Sequence, residues 1–255
     1  MAPVDPVPDE PAATVDLDDE RALVIADYHA GIEAALRGDG VEIDSNAAAR
    51  RKRLRAILDR TDPDRVIFLG DLTHGIGEPG GDEQEELREL LSAVPDAVSI
   101  IVVKGNHDGD IETAIDAEVT GGRGTRIGDV GFAHGHTWPA PAVLDADVVC
   151  VGHEHPQVRL EDAVGGCRIE RAWLRGDLAA DAFEKHADDV EADGGTVAGI
   201  DGELVVFPAF NEVAGGTWIN VAGQSFLAPF LPGGLADGQA YLLDGTRLGA
   251  YQRVS

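Results

Sequence analysis

Lysine is almost missing from this chain. Only Lys52, Lys104 and Lys185 occur in 255 residues, and all basic residues together number 20 against 47 acidic ones, a formal net charge of −27. So little positive charge argues against a broad basic surface of the kind that grips a nucleic-acid backbone. Abundant Asp, Glu, Ala and Gly with scarce Lys is instead the habit of proteins that work in concentrated salt, where repulsion between surface carboxylates is screened. An acidic functional surface is the alternative. Cysteine is scarce too: Cys150 and Cys167 stand alone, neither in a Cys-x-x-Cys pair, which excludes a disulfide framework and a Cys-rich structural zinc site. No apolar run approaches the roughly 20 residues of a membrane span, so no membrane is expected as a partner. The stretch Met1–Pro11 is rich in Pro and Asp and has no apolar core, unlike a signal peptide. The cytoplasm is the expected location.

What remains is a chain that is 44% hydrophobic, long enough for one large α/β domain. Residues 1–12 read as a loosely ordered N-terminal arm and 13–255 as a single domain. Short apolar runs predict strands over 14–17, 21–26, 64–69, 98–103, 125–127, 130–133, 146–151, 157–160, 167–173, 204–207, 217–221, 240–243 and 248–251. Helices are predicted over 46–60 and 82–93, with a shorter one over 110–117. Residues 177–199 read as a short helix and a polar linker carrying a surface histidine, His186. The early part alternates strand and helix and the later part is hairpins. That order predicts an α/β fold, a two-sheet β-sandwich flanked by helices, its early strands largely parallel.

The helix over 46–60 has an apolar face, Ala47, Leu54, Ile57 and Leu58, with Asn46 as a candidate N-cap. Its other face concentrates Arg50, Arg51, Lys52, Arg53, Arg55 and Arg60, six of the 20 basic residues. It is either a solvated face or a patch for a phosphate backbone or an acidic partner.

Polar residues follow the apolar strands in a consistent way. Asp27 and His29 come after the strand at 21–26, Gly70-Asp71 after 64–69, and Gly105-Asn106-His107-Asp108 after 98–103. His134 comes after 130–133, and His153 and His155 after 146–151. With His136, six of the eight histidines belong to this pattern; His74 lies three residues past Asp71, and His186 is elsewhere. The C-terminal rim of a sheet is where α/β proteins place their chemistry. Nitrogen and oxygen donors without thiolates suit Mn²⁺, Fe, Zn²⁺, Co²⁺ or Ni²⁺. In an extended chain the residues of Asp27-x-His29 and of His153-x-His155 would face one pocket. Seven candidate ligands exceed the needs of one ion, whereas two divalent metal ions sharing a carboxylate would use them all. Asp71, on a tight Gly turn, is the natural bridge. Two ions about 3.5–4 Å apart that hold a bridging hydroxide are a known device for hydrolysing phosphate esters. Taken singly, each motif also has a plain reading as a polar turn.

In this order, Asp-x-His, Gly-Asp, Gly-Asn-His-Asp, His-Gly-His and Gly-His-x-His resemble the calcineurin-like metallophosphoesterase family over residues 22–156. Gly70-Asp71-Leu72-Thr73-His74 and Val206-Phe207-Pro208-Ala209-Phe210-Asn211 resemble patterns of its archaeal SbcD-related members. The resemblance implies a dinuclear site at the C-terminal strand ends, with Mn²⁺ the first choice of metal. It implies that Asp27, His29 and His155 hold one ion, that Asn106, His134 and His153 hold the other, and that Asp71 bridges them. It implies that His107 protonates the leaving oxygen or steadies the phosphate, with Asp108 as its orienting partner. His136 is implied to lie behind the ligands or to face the substrate; His74 either reaches the phosphate or caps a local turn, and Glu154 and Tyr28, each between two candidate ligands, should point away. The implied substrate is a phosphate ester, a diester before a monoester, with nucleic acid as a further possibility. SbcD-type nucleases carry a DNA-capping region for which this length leaves no room, so diester cleavage is implied rather than processive work on DNA ends. A non-catalytic metal-binding scaffold of the same fold is the competing reading. It usually comes with a lost ligand or acid histidine, and this chain lacks neither.

Overall fold

A computed structural model describes residues 4–162, 164–191, 196–197 and 199–254. Two mixed sheets face each other. The first has six strands in sequence order: β1 (Val4–Pro6), β2 (Ala12–Leu17), β3 (Glu20–Ile25), β4 (Arg65–Leu69), β5 (Ser99–Val103) and β6 (Glu118–Thr120). From β3 to β6 the pairing is parallel. The second sheet holds β7 (Thr125–Ile127), β8 (Val130–Ala133), β9 (Val148–Val151), β11 (Cys167–Leu178), β12 (Glu203–Val206), β13 (Leu235–Leu242) and β14 (Arg247–Ala250), and β10 (Gln157–Glu161) hangs on β11. Its centre, β8–β9–β12, is parallel as well.

The strands that carry the site are apolar on both faces, and their period of two sends side chains into different cores. In β3 and β4, Val24, Ile67 and Leu69 enter the layer between the sheets, where they meet Phe132, Cys150, Trp173 and Phe207. Their neighbours Leu23, Ile25, Val66 and Phe68 point outward against helices α2 (Ala47–Thr61) and α3 (Gly81–Leu91) through Leu54, Ile57, Leu87 and Leu90. Beyond the second sheet, Val149, Val151, Leu174 and Val206 pack on α4 (Pro141–Leu144), α5 (Ala180–Glu184) and α6 (Ala187–Val190) through Val143, Phe183 and Val190. The two-sheet sandwich flanked by helices is as the sequence predicts.

Several elements differ. The arm expected over residues 1–12 is built into the sheet from Val4: β1 pairs with β2, and Val4 and Val7 are buried. Residues 1–3 lie outside the described residues. Thr217–Val221 is no strand. It meets β10 only at Gln157, and beyond that bridge the Asn220 side chain takes both backbone groups of Arg159 while the chain turns at Trp218–Val221. The helix expected over 110–117 is one 3-10 turn, Ile111–Thr113. Helix α1 (Ile32–Gly38) was not foreseen, being short and entered through Gly31 in the left-handed region. In the polar linker, 192–195 and 198 lie outside the described residues.

The basic face of α2 is largely spent inside the protein. Arg50 is buried and binds Glu33 and Glu86, Arg51 pairs with Glu89 at 2.6 Å, and Arg53 and Arg60 meet Glu10. The expected solvated or phosphate-binding patch shrinks to Lys52 and Arg55. Among the described residues no helix is long and apolar enough to cross a membrane.

Candidate metal centre

Five strands deliver the site. Past β3 come Asp27 and His29, past β4 Asp71, past β5 Asn106, His107 and Asp108, past β8 His134, and past β9 His153 and His155. The sheets face each other, so these ends share one edge of the sandwich. Their backbone is not extended, as the alternation of the motifs suggested. Asp27, His29, Asp71, His153 and His155 have φ of 57°, 49°, 48°, 67° and 44°, five of the nine non-glycine residues at positive φ among the described residues. A left-handed residue costs energy, and its concentration at strand ends marks a constrained site. Two glycines are obligatory here. A Cβ at Gly70 would strike the His134 ring, and one at Gly105 would strike Asp71.

The side chains converge in two groups. Asp27, His29 and His155 offer atoms that all lie within 4.8 Å of one another, and so do Asp71, His134 and His153. Nε2 of His155 is 3.3 Å from Oδ1 of Asp27 and 3.3 Å from Nε2 of His29. Oδ2 of Asp71 stands between the groups, 3.3 Å from His134 Nε2 and 3.9 Å from His29 Nε2. Oδ1 of Asn106 is 3.3 Å from His134 Nε2. The other oxygen of Asp71 accepts the His107 N–H at 2.9 Å, which leaves Oδ2 turned to the histidines.

The hydrogen bonds behind the ligands decide the tautomers. His134 Nδ1 lies 2.7 Å from the Leu69 carbonyl and His155 Nδ1 2.7 Å from the Gly215 carbonyl. A carbonyl only accepts, so Nδ1 carries a proton and Nε2 is the atom turned to the pocket, the arrangement that orients metal-binding imidazoles. Nε2 of His29 stands 3.3 Å from Nε2 of His155, a separation that two ligands of one cation would also have. The donor set of imidazoles, carboxylates and one amide therefore fits a pair of borderline or hard divalent ions.

Charge balance points the same way. Burial alone would raise the Asp27 carboxyl, but His155 and His134 outweigh it and hold it below its ordinary value. Asp71 is likewise held well below the usual carboxylate range, burial being overcome by His134 and His29. Burial pushes His29 down to about 4, and burial with His134 beside it does the same to His153. His134 is pushed up to about 9, because Asp71 and Asp27 outweigh its burial. Both carboxylates are ionised at neutral pH and His29 and His153 are neutral, as candidate metal ligands should be, whereas His134, and His155, raised because Asp27 outweighs its burial, hold an extra proton that a cation would displace.

The remaining candidates surround this cluster. His107 is half-buried, 5.3 Å from the His29 ring between centroids, and its Nδ1 donates to the His74 carbonyl at 2.5 Å. His74 stacks on His107 at 5.5 Å, and His29, His74 and His107 form a third convergent group. His136 lies 5.3 Å from His134 and 6.1 Å from His153. Asp108 does not orient His107. Its carboxylate accepts the N–H groups of Leu72, Gly105 and Thr73 at 2.8, 2.8 and 3.1 Å, so it ties the β5 loop to the β4 loop. Tyr28 points away, stacked on Phe210. Glu154 points away too, into a buried position where it accepts the N–H groups of Leu227 and Ala228.

Sequence reasoning missed the residues that hold the ligand loops. Glu83 accepts the N–H groups of His74 and Gly75 at 2.8 and 2.6 Å, and Glu86 accepts that of Gly31 at 2.9 Å. Asn211 donates to the Tyr28 carbonyl at 2.8 Å. The Asn211 motif was visible in the sequence; the two glutamates were hidden in an acidic helix.

Residues 20–136 match the calcineurin-like phosphoesterase family. No curated protein matches the chain in sequence. Among solved structures, it is similar to the crystal structure of Pseudomonas putida nuclease MPE at 19% identity, TM-score 0.51, over 96% of this chain and 100% of that one. It is also similar to Yfce, a phosphoesterase from E. coli, at 19% identity, TM-score 0.36, over 56% of this chain and 74% of that one.

Proposed function

We propose, from the calcineurin-like phosphoesterase match and the convergence of its ligands, that the chain is a metal-dependent phosphoesterase and that its substrates are phosphodiesters before monoesters. The observation that carries this is the position of Asp71 Oδ2 between His134 at 3.3 Å and His29 at 3.9 Å, one carboxylate oxygen within reach of both ligand groups. Asp27, His29 and His155 would hold one ion, and Asn106, His134 and His153 the other. Mn²⁺ is the first choice, because the set is rich in oxygen and imidazole and has no thiolate. When bound, the pair of ions supplies charge neutralisation and an activated water.

The protein's own groups do the rest. Asp71 and Asp27 arrive already ionised. His107, its Nδ1 proton committed to the His74 carbonyl, leaves Nε2 for the substrate, where as the imidazolium it can donate a proton to the departing oxygen or a hydrogen bond to the phosphate. His74, stacked on that ring, restricts its rotation and borders the same space.

A nuclease of SbcD type is the narrower form of this reading. The fold shared with a nuclease supports it, while the loss of the α2 patch to internal ion pairs removes its main sequence support. A scaffold reading finds no missing ligand to stand on.

The test is Mn²⁺-dependent hydrolysis of bis-p-nitrophenyl phosphate in molar KCl, beside Asp71→Asn. Turnover that vanishes in the variant supports the diesterase. A folded, metal-loaded protein inert with Mn²⁺, Co²⁺, Ni²⁺ and Zn²⁺ would sink it in favour of the scaffold.

A further inference from the structure

A cleft of about 560 Å³ has Trp138, Lys185, His186 and Phe230 in its walls. Its size is ordinary for a small-molecule site, which runs from roughly 300 to 1,000 Å³. Two short routes join it to the candidate metal centre. Trp138 follows His136 by two residues, at most about 7 Å along the chain. The ring of His136 in turn lies 5.3 Å from that of His134 and 6.1 Å from that of His153. On the other side, Glu154 sits between His153 and His155 and accepts the N–H groups of Leu227 at 3.0 Å and Ala228 at 3.1 Å. The segment it holds runs on into Phe230, and Leu227 is left 57% exposed on the way.

The chemistry of the walls is specific. The indole of Trp138 stacks on His186 with centroids 4.5 Å apart and planes at 23°, and meets Phe183 edge-on at 5.9 Å and Phe230 at 6.2 Å. Together these rings make an aromatic surface along the cleft. At its mouth stands Lys185, one of three lysines in the chain and exposed. Another, Lys104, is engaged by Glu112 at 2.9 Å. Asp181, one turn before Lys185, lines the cleft as well, while Asp189 is turned to His186 at 3.4 Å. An aromatic wall with one lysine beside it, next to a phosphate-cleaving centre, suits a planar ring that carries a second anion.

We propose that this cleft binds the nucleotide unit next to the scissile phosphate, its base against the Trp138–His186 wall and its outer phosphate at Lys185. The proposal rests on the phosphodiesterase reading above and extends it to a substrate class. It explains how a chain of net charge −27 could select nucleotides without a basic groove: stacking is insensitive to salt, and only one contact is ionic.

The experiment uses the full chain loaded with Mn²⁺ in molar KCl and three dinucleotides: TpT, and the same unit with a terminal phosphate at either end, pTpT and TpTp. The wild type should prefer one phosphorylated form over TpT in kcat/KM by about fivefold, the size of a charge-assisted contact at high salt. Lys185→Glu should bring that ratio to about one and Lys185→Arg should keep it. No preference in the wild type, or a preference that survives Lys185→Glu, overturns the proposal. A binding measurement stands apart from turnover: pTpT and TpTp are titrated against tryptophan fluorescence, with Trp138→Phe as the blank. If the wild type hydrolyses no ester at all, the diesterase reading fails by itself. Quenching that needs both Trp138 and Lys185 would still support the cleft, and its absence would overturn it.

Discussion

Arg50 and Glu33 are each 1% exposed in their side chains, and the guanidinium Nη2 meets Glu33 Oε2 at 2.8 Å. The same nitrogen reaches Glu86 Oε1 at 2.7 Å, so one buried cation serves two buried carboxylates. Glu86 passes the connection on to the Gly31 N–H, just past His29. Removing the cation strands two charges, and truncating one partner of such a group costs about 3–5 kcal/mol. Arg50→Ala should therefore lose about that much stability in urea unfolding. Arg50→Lys should recover only part of it, because an ammonium cannot fork between two carboxylates.

The same triad sets an acid limit. Burial would raise the Glu33 carboxyl, but Arg50 outweighs it and holds it below its ordinary value. A carboxyl depressed in the folded state contributes stability that is present above its unfolded value, about 4.3, and lost as pH falls through the folded one. Unfolding free energy should thus decline below about pH 4 in the wild type. In Arg50→Ala the burial of Glu33 is opposed only by backbone hydrogen bonds such as that from Asn46, the folded value rises, and mild acid should stabilise that variant relative to neutral pH. A common slope for both proteins in urea titrations across the acid range would refute this.

Asp108 and His107 are neighbours with separable tasks. Asp108 is fully buried and satisfies three backbone N–H groups. Each buried donor left without a partner costs about 1–3 kcal/mol. Asp108→Ala should consequently lower the melting temperature sharply. His107→Ala should leave it nearly unchanged while reducing kcat by about 10²–10⁴-fold, the range for a lost general acid. Equal losses of stability in the two variants would contradict this division.

Asp71→Asn keeps an oxygen for the His107 N–H, so the loop should hold its shape. What it loses is a charge shared by the two ligand groups. Loss of a mere outer partner of a metal ligand costs about 10–100-fold, and a shared ligand should cost more. Calorimetry should find weaker Mn²⁺ binding with at least one site lost, and the melting curve of the metal-free protein should stay close to that of the wild type.

How much of this could be seen in the sequence depended on distance along the chain. An apolar run that stops at a polar residue is a local signal, and Asp27, Asp71, Asn106, His134 and His153 are all legible that way without knowing how the sheets bring them together. The geometry at those ends is not local. Left-handed φ at His29 and His155 follows from loops packed against one another, which a two-residue alternation cannot foresee. Asp108 looks like a partner for His107 because it is adjacent, yet its hydrogen bonds go to Leu72 and Thr73 on another loop. Arg50 looks exposed because a helix pattern says nothing about Glu33 and Glu86 arriving from elsewhere. Thr217–Val221 has a strand's composition, yet beside β10 the Asn220 side chain replaces the backbone ladder at Arg159 and the chain turns.

The remnants of the basic face give a further prediction. Lys52 and Arg55 are the two members of that face not drawn into ion pairs with Glu10, Glu33, Glu86 or Glu89. If nucleic acid reached the centre across α2, reversing both charges would weaken cleavage and flatten its salt dependence. The expected outcome of Lys52→Glu/Arg55→Glu is cleavage of an oligonucleotide within about twofold of wild type at every salt concentration, since phosphate contacts and not stacking carry the salt slope.

Salt should act on the fold in the opposite sense from the usual ion-paired protein. Acids outnumber bases 47 to 20 over the whole chain. Repulsion between unpaired carboxylates therefore outweighs attraction between exposed pairs such as Arg88–Glu85, whose side chains are 67% and 62% exposed. The screening length shrinks from about 10 Å at 0.1 M to about 3 Å at 1 M, which weakens both. Because repulsion is the stronger of the two, the melting temperature should rise steadily from dilute buffer to molar KCl. The buried Arg50 triad is shielded from solvent and should be indifferent, so Arg50→Ala should show the same salt dependence on a lower baseline. A melting temperature that falls with KCl would mean that the surface ion pairs, and not the acidic excess, govern the electrostatics of the fold.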